Sequence, residues 1–326
     1  GLVPARIADR RWLSWAIAHS GRDKPCPYYF VTALSQCGLL LRQGYSAGYN
    51  PAMRLAKLIP QPVKPFVRSC YLSTIELADR LPSRRNNLYP PRQLDFIGGG
   101  TTYEAESKEF LKYFIEIGEL KPHESVLDVG CGIGRMAAPL TNYLTGNYEG
   151  FDIVEIGIRW SNNHIARQYP NFRFQHANVY NRIYNPKGTC KASEYSFPYP
   201  DASFDFVFLT SVFTHMLPED ISRYLREVVR VLKPHGRALI TYFLLNDESK
   251  SLIKRGASHR HFVPYLSQCW THDEKSPEVA LAYAEQYIKD AHKEVNLPVE
   301  AIHYGSWPGR SDYLSYQDIT LSRKVV

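Results

Sequence analysis

The sequence predicts an α/β protein built on a doubly wound, mostly parallel seven-stranded sheet. Beyond residue 103, short apolar runs alternate with helical patterns across short links, which is typical of a parallel sheet with helices on both faces. The last two apolar runs are separated only by the turn-rich residues 305–315, so we expect them to form an antiparallel C-terminal hairpin. A basic helical N-terminal extension precedes this body.

The predicted elements follow in order along the chain. Apolar runs of strand length predict strands at 125–129, 147–152, 172–177, 204–210, 237–243, 299–304 and 315–322. Apolar residues at helical spacing predict helices at 103–117, 134–144, 156–168, 218–231 and 277–293. We therefore place the main domain at residues 96–326.

Two segments precede the main domain. Residues 1–52 show no sustained period, and Met53 is the first methionine of the chain. We expect either that the natural chain starts at Met53 or that residues 1–52 form a loosely packed arm. Residues 53–95 contain a basic amphipathic pattern. A helix over residues 62–85 either packs onto its own domain or makes peripheral contact with the inner face of an anionic membrane.

Composition excludes several classes of protein. Residues 1–95 hold fourteen Lys and Arg against five Asp and Glu, whereas the rest of the chain has a net charge of −2. Because the main domain is not basic, we expect no nucleic-acid partner. The six cysteines lack CxxC spacing, so neither a zinc site nor a disulfide framework is indicated. No apolar run reaches the ~18–20 residues that a membrane span needs, and we expect a cytoplasmic protein.

A glycine-rich turn follows the first predicted strand. Residues 126–135 read VLDVGCGIGR, with glycines at positions 130, 132 and 134. A dinucleotide-binding turn would carry a third glycine where Arg135 stands. Asp128, two residues before the first glycine, would repel a pyrophosphate but would suit a ligand that carries an amine. The turn therefore disfavours a nicotinamide-dependent oxidoreductase.

This turn resembles motif I of the class I S-adenosylmethionine-dependent methyltransferases, whose fold is Rossmann-like. The resemblance covers about residues 96–325. The acidic Asp152, twenty-four residues after Asp128, ends the second strand as the family's ribose-binding carboxylate does. The resemblance implies S-adenosylmethionine as the cofactor, held by Asp128, Gly130, Cys131, Gly132, Gly134, Arg135, Asp152, Ile153, Asn178, Val179 and Leu209. Asn178 stands where the family often has an aspartate that faces the adenine amino group.

The acceptor is less well determined. Residues 209–213 lack the prolyl turn of enzymes that methylate base amines or glutamine amides, and no Pro-Cys nucleophile follows this strand. We expect O-methylation of a small molecule, a sugar or a lipid-linked glycan. The alternatives are N-methylation of an amino sugar or amine, and a membrane-docked protein of the same fold without turnover.

His215 is the candidate general base, because it follows the fourth strand and titrates near neutrality. The competing interpretation is that it caps or packs beneath the next helix. Thr214 and Tyr180 are candidates for orienting the acceptor. Tyr184, in an aromatic segment at 180–200, is a candidate wall of the acceptor pocket. Trp307 in the hairpin is a candidate for closing that pocket, although hairpin aromatics often pack across strands.

Overall fold

The computed structural model describes residues 88–91, 94, 103–258 and 260–325. The predictions for the N-terminal extension, its membrane contact through residues 62–85 and the boundaries of the three segments lie outside these residues. No described helix is long and apolar enough to cross a membrane.

Strands and helices alternate along the described chain. The strands are β1 Val126–Val129, β2 Tyr148–Asp152, β3 Phe172–His176, β4 Phe204–Leu209, β5 Leu232–Tyr242, β6 Leu244–Leu245, β7 Val263–Leu266, β8 Cys269–Thr271, β9 Leu281–Ala284, β10 Val299–His303 and β11 Asp318–Arg323. The α-helices are α1 Tyr103–Glu116, α2 Ala137–Leu140, α3 Glu155–Ser161, α4 Pro218–Val231, α5 Asp247–Lys254 and α6 Glu285–Glu294. A π-helical turn, Asn162–Ala166, continues α3, and 3₁₀ turns cover Ala192–Glu194, Phe213–His215 and Pro277–Val279.

Seven of the described strands form one sheet in the order β10-β11-β5-β4-β1-β2-β3. The pairs from β5 to β3 are parallel, whereas β11 is antiparallel to both β5 and β10. The predicted mostly parallel sheet and its antiparallel hairpin are therefore confirmed. The strand order reverses direction between β1 and β4, which is the point where ligands bind in open α/β sheets.

Apolar side chains cover both faces of the central strands. Leu127 and Val129 of β1 belong to one buried cluster, which includes the inner face of α4. Val126 belongs to a second cluster on the opposite face, together with α1 and α2. Burial on both faces explains why these strands are continuous apolar runs in the sequence.

Local sequence fixes the position of α4. Pro218 occupies the first turn, where no intrahelical partner for its missing N–H is needed, and the Asp220 carboxylate accepts a hydrogen bond from the Leu217 amide at 3.2 Å. The helix ends at Val231, directly before β5. This start point places residues 210–217 as a connection that crosses the carboxyl edge of the sheet.

A second, four-stranded sheet in the order β6-β9-β8-β7 was not predicted. The helix expected at 277–293 is wrong over its first part: Pro277–Val279 is a 3₁₀ turn and Leu281–Ala284 is a strand, and only Glu285–Glu294 is α-helical. The apolar Leu281–Ala284 pairs with both β8 and β6, so tertiary contacts decide its conformation.

Candidate functional site

A cavity of about 350 Å³ lies at the carboxyl ends of β1, β2 and β4. Its size is within the range of small-molecule sites. Its walls come from the turn after β1 (Val129, Gly130 and Gly132), residues 151–154, residues 179–181, 184 and 191–193, residues 210–212, 215–217, 219–220 and 224, and the remote Glu278.

The glycine-rich turn forms one wall through its backbone. Gly130 and Gly132 have φ angles of +79° and +58°, which favour glycine. A Cβ atom on Gly130 would lie 2.4 Å from a methyl carbon of Val212, which also lines the cavity. A side chain at Gly130 would therefore collide with another wall of the cavity.

Asp152 is held rigidly at the end of β2. Its carboxylate accepts hydrogen bonds from the backbone amides of Gly132 and Val154, each at 2.7 Å. Burial raises the pKa of Asp152, and the two amides oppose this effect. A carboxylate has about four lone-pair sites, so two remain for a ligand on the cavity side. These acceptor sites fit the two hydroxyl donors of a ribose diol, and hence the nucleoside part of S-adenosylmethionine.

Asp128 lies elsewhere. Its side chain is fully buried and does not line the cavity, and one carboxylate oxygen accepts a hydrogen bond from the Tyr148 hydroxyl at 2.6 Å. The other oxygen, Oδ1, is buried and has no hydrogen-bond partner among the described residues. Burial raises the pKa of Asp128 to about 8. Direct contact with a ligand amine through this carboxylate is therefore not supported by its position, since alternation along β1 directs it to the opposite face from Val129.

The other predicted cofactor residues divide into two groups. Ile153 and Val179 line the cavity and offer apolar contact surface. The remaining positions do not line it: Cys131, Gly134, Arg135, Asn178 and Leu209. The guanidinium of Arg135 pairs with Glu106 of α1, and the Asn178 amide donates to Thr189 Oγ1 at 2.7 Å. Cofactor contact for these residues stays a prediction.

The acceptor candidates are also separated by the structure. Tyr180 and Tyr184 line the cavity and are partly exposed at its mouth. Thr214 is buried, its hydroxyl has no hydrogen-bond partner in the part of the chain that the structure describes, and it does not line the cavity. Trp307 is fully buried away from the cavity, and its indole N–H donates to Asp318 Oδ2 at 2.6 Å. The geometry therefore supports a packing role for Trp307 rather than a place in the acceptor pocket.

His215 lines the cavity beside the acceptor candidates. Its Nδ1 lies 2.8 Å from the carbonyl oxygen of Glu278, and its ring meets Tyr184 edge-on with centroids 5.7 Å apart. Because a carbonyl can only accept, Nδ1 carries the proton and Nε2 carries the lone pair. Burial lowers the pKa of His215, and the hydrogen bond to Glu278 opposes this effect. A neutral ring with a fixed tautomer can accept a proton at Nε2.

Several cavity residues were missed by the sequence analysis. Three of them are carboxylates, and burial raises the pKa of Asp220 to about 6 and raises the pKa of Glu278. Asp220 looks like an ordinary helix cap in the sequence, and nothing in the sequence links Glu278 to His215, sixty-three residues earlier. The missed residues include Asn181, Lys191, Thr210, Ser211, Glu219, Asp220, Tyr224 and Glu278.

Residues 127–240, which contain the glycine turn, Asp152 and His215, match the family model described as a methyltransferase domain. This segment is a methyltransferase domain. Its mostly parallel sheet and the glycine-rich turn after β1 agree with the resemblance of this segment to the class I, S-adenosylmethionine-dependent methyltransferases. The methyltransferase domain includes most of the cavity walls, although Glu278 lies outside the matched residues.

Curated relatives of the methyltransferase domain act on different atoms. The chain is 27% identical over 197 residues to phosphoethanolamine N-methyltransferase 3 of Arabidopsis thaliana, covering 58% of this chain and 36% of that protein. It is 34% identical over 126 residues to 27-O-demethylrifamycin SV methyltransferase of Amycolatopsis mediterranei, covering 39% and 41%. It is 26% identical over 151 residues to a sterol 24-C-methyltransferase of Schizosaccharomyces pombe, covering 46% and 35%. The chain thus spans about two fifths or less of these relatives, which do not determine its acceptor.

Proposed function

We propose that this protein transfers a methyl group from S-adenosylmethionine to a hydroxyl group of a small molecule, with a sugar or a lipid-linked glycan included in that class. The observation that supports it is the position of His215, a neutral base in the wall of the same cavity that contains Asp152 and the glycine turn. S-adenosylmethionine supplies a methyl group activated by its sulfonium.

In this proposal, different residues bind the cofactor, bind the acceptor and remove the proton. Asp152 and the backbone of Gly130 and Gly132 bind the nucleoside, and the apolar Ile153 and Val179 pack against it. Tyr180 and Tyr184 enclose the acceptor at the mouth of the cavity. His215 accepts the hydroxyl proton at Nε2 as the oxygen becomes the nucleophile, which is general base catalysis. Alignment of the two reactants in one closed cavity supplies the rest of the acceleration.

A methyl-labelling screen tests this proposal. The full chain is incubated with ¹³C-methyl-labelled S-adenosylmethionine and with panels of hydroxylated metabolites, glycans and amines, and products are identified by mass and by the carbon shift of the new methyl group. An O-methyl product that disappears in His215→Ala supports the proposal. Cofactor binding without any product from these panels would favour a protein of the same fold that lacks turnover.

One observation favours a second acceptor class. Glu219, Asp220 and Glu278 line the acceptor side, whereas the cationic Lys191 is exposed and pairs with Glu194 at 3.4 Å. This excess of carboxylates would attract an acceptor that carries an amine. The same labelling screen separates the two, because an N-methyl product from the amine panel with no O-methyl product would replace the first proposal by N-methylation.

A further inference from the structure

Two hydrogen bonds join the loop after β3 to the segment before β9. We call residues 180–190 the acceptor loop. The side-chain amide of Asn181 donates to Glu278 Oε1 at 3.0 Å, and Arg182 donates to the Lys275 carbonyl oxygen at 2.9 Å. Asn181 is buried and Glu278 is half-buried, so the first of these contacts is partly buried in the cavity wall.

Asn181 also shapes the acceptor loop itself. Its side-chain oxygen accepts hydrogen bonds from the backbone amides of Ile183 and Tyr184, both at 2.9 Å. Its backbone forms a bridge with Asn185 in both directions. One side chain therefore fixes the turn that carries Tyr184 and, through its amide group, holds Glu278.

Glu278 continues this chain of contacts to the candidate base. Its backbone carbonyl accepts the Nδ1 hydrogen of His215, and its side chain accepts from Asn181. Asn181, Tyr184, His215 and Glu278 all line the same cavity. The conformation of the acceptor loop is thus linked to the tautomer and orientation of His215.

We propose that Asn181 is a positioning residue: its hydrogen bond to Glu278 fixes the carbonyl that holds His215 with Nε2 free to act as the base. The proposal rests on the proposed function, in which His215 removes the acceptor proton. It adds that the acceptor loop, and not the methyltransferase core alone, sets the geometry of the base. We call the hydrogen bond between the Asn181 side chain and the Glu278 side chain the tie. A misplacement of the base by about 1 Å can cost about 100-fold in rate, so loss of the tie should have a measurable consequence.

A double variant that reverses the donor and the acceptor of the hydrogen bond between residues 181 and 278 tests the tie without a change in the net charge of the protein. Asn181→Asp keeps the oxygen that accepts from Ile183 and Tyr184, but it loses the donor and places a carboxylate against Glu278. Adding Glu278→Gln supplies a donor from the other side, and this double variant has the wild-type charge. Glu278→Gln alone keeps the original hydrogen bond. Glu274→Gln, at an exposed position of the same segment, is the matched control.

The readout is the tautomer of His215 in the full chain, measured by nitrogen NMR of protein with labelled histidine. The signal is assigned from its loss in His215→Ala. We expect the Nδ1–H tautomer in the wild type, the control, Glu278→Gln and the double variant, and a mixture of tautomers in Asn181→Asp. Glu278→Ala, which removes the tie from the other side, should behave as Asn181→Asp does, and it replaces that variant if Asn181→Asp does not fold.

Kinetics provide the second readout. With the acceptor found in the labelling screen, we expect kcat of Asn181→Asp to fall at least tenfold and that of the double variant to recover to within threefold, with the KM for S-adenosylmethionine unchanged. A retained Nδ1–H tautomer in both Asn181→Asp and Glu278→Ala, or no recovery in the folded double variant, overturns the proposal. A His215→Ala variant with full activity would instead overturn the proposed base, while the NMR result on the tie would still stand.

Discussion

Asp152 offers the sharpest test of the cofactor site, because its surroundings are fully defined. Replacing it with alanine removes a carboxylate that accepts from the amides of Gly132 and Val154 and that is proposed to accept from two ribose hydroxyls. A hydrogen bond to a charged group contributes about 1.5–3 kcal/mol. The loss of two such bonds to the ligand amounts to about 3–6 kcal/mol, which weakens binding roughly 10²- to 10⁴-fold.

Isothermal titration calorimetry with S-adenosylhomocysteine measures this effect. Asp152→Asn is not a conservative change here, since its side chain has one acceptor oxygen for two backbone amides, so we expect it also to bind more weakly than the wild type. Glu155→Gln is the control, because Glu155 is exposed three residues later and pairs with Arg159 on the surface. Circular dichroism confirms folding, since each unpaired buried amide destabilises by about 1–3 kcal/mol. Binding by a folded Asp152→Ala within threefold of the wild type would refute this account of the site.

Three further predictions concern histidines and the hairpin. His215→Ala should lower kcat by about 10²- to 10⁴-fold. Because burial lowers the pKa of His215, the acid limb of the wild-type pH–rate profile should lie below 6.5, and a limb above that value contradicts the lowered pKa. Burial also lowers the pKa of His292 to about 4, so its protonation favours the unfolded state. Urea unfolding should therefore show a loss of about 2 kcal/mol between pH 7.5 and 5 that His292→Gln lacks, and an equal loss in the variant contradicts this. Trp307→Phe should reduce the free energy of unfolding by about 2 kcal/mol through its lost hydrogen bond, without changing the acceptor KM. A raised KM for the acceptor would instead support the prediction that Trp307 helps to close the acceptor pocket.

The elements best predicted from sequence are those whose determinants are local. The predicted helix 218–231 has the bounds that the structure gives to α4, because a proline start, an acidic first turn and an apolar stripe all coincide there. The predicted helix 134–144 is only Ala137–Leu140 in the structure. A helix that began at residue 134 would place Pro139 in its interior, where the missing backbone N–H of proline would leave an intrahelical hydrogen bond unmade. The two-residue strand Leu244–Leu245 is too short for a period to be recognised.

The residues of the site likewise divide into those whose positions are fixed locally and those that depend on distant contacts. The glycines and Asp152 are recognisable because strand-to-helix turns fix their relation within one short segment. The burial of Asp128 was not foreseen, because the glycine pattern does not state which face of β1 its side chain occupies. Glu278 contacts His215 directly, but the second sheet and the acceptor loop place it there, and these contacts join residues about sixty to one hundred positions apart.

The proposed site has two halves, and only the nucleoside half lies wholly within the matched residues. The nucleoside half lies within the matched residues 127–240 and is built from β1, β2 and the turns that follow them. The acceptor half joins Tyr184 and His215 to Glu278, which lies beyond the match. The curated relatives are named for transfer to nitrogen, oxygen or carbon, so similarity to them does not select the acceptor. Replacing residues of the acceptor loop and of segment 273–279 with other side chains should change which acceptor is methylated. The affinity for S-adenosylhomocysteine should stay the same.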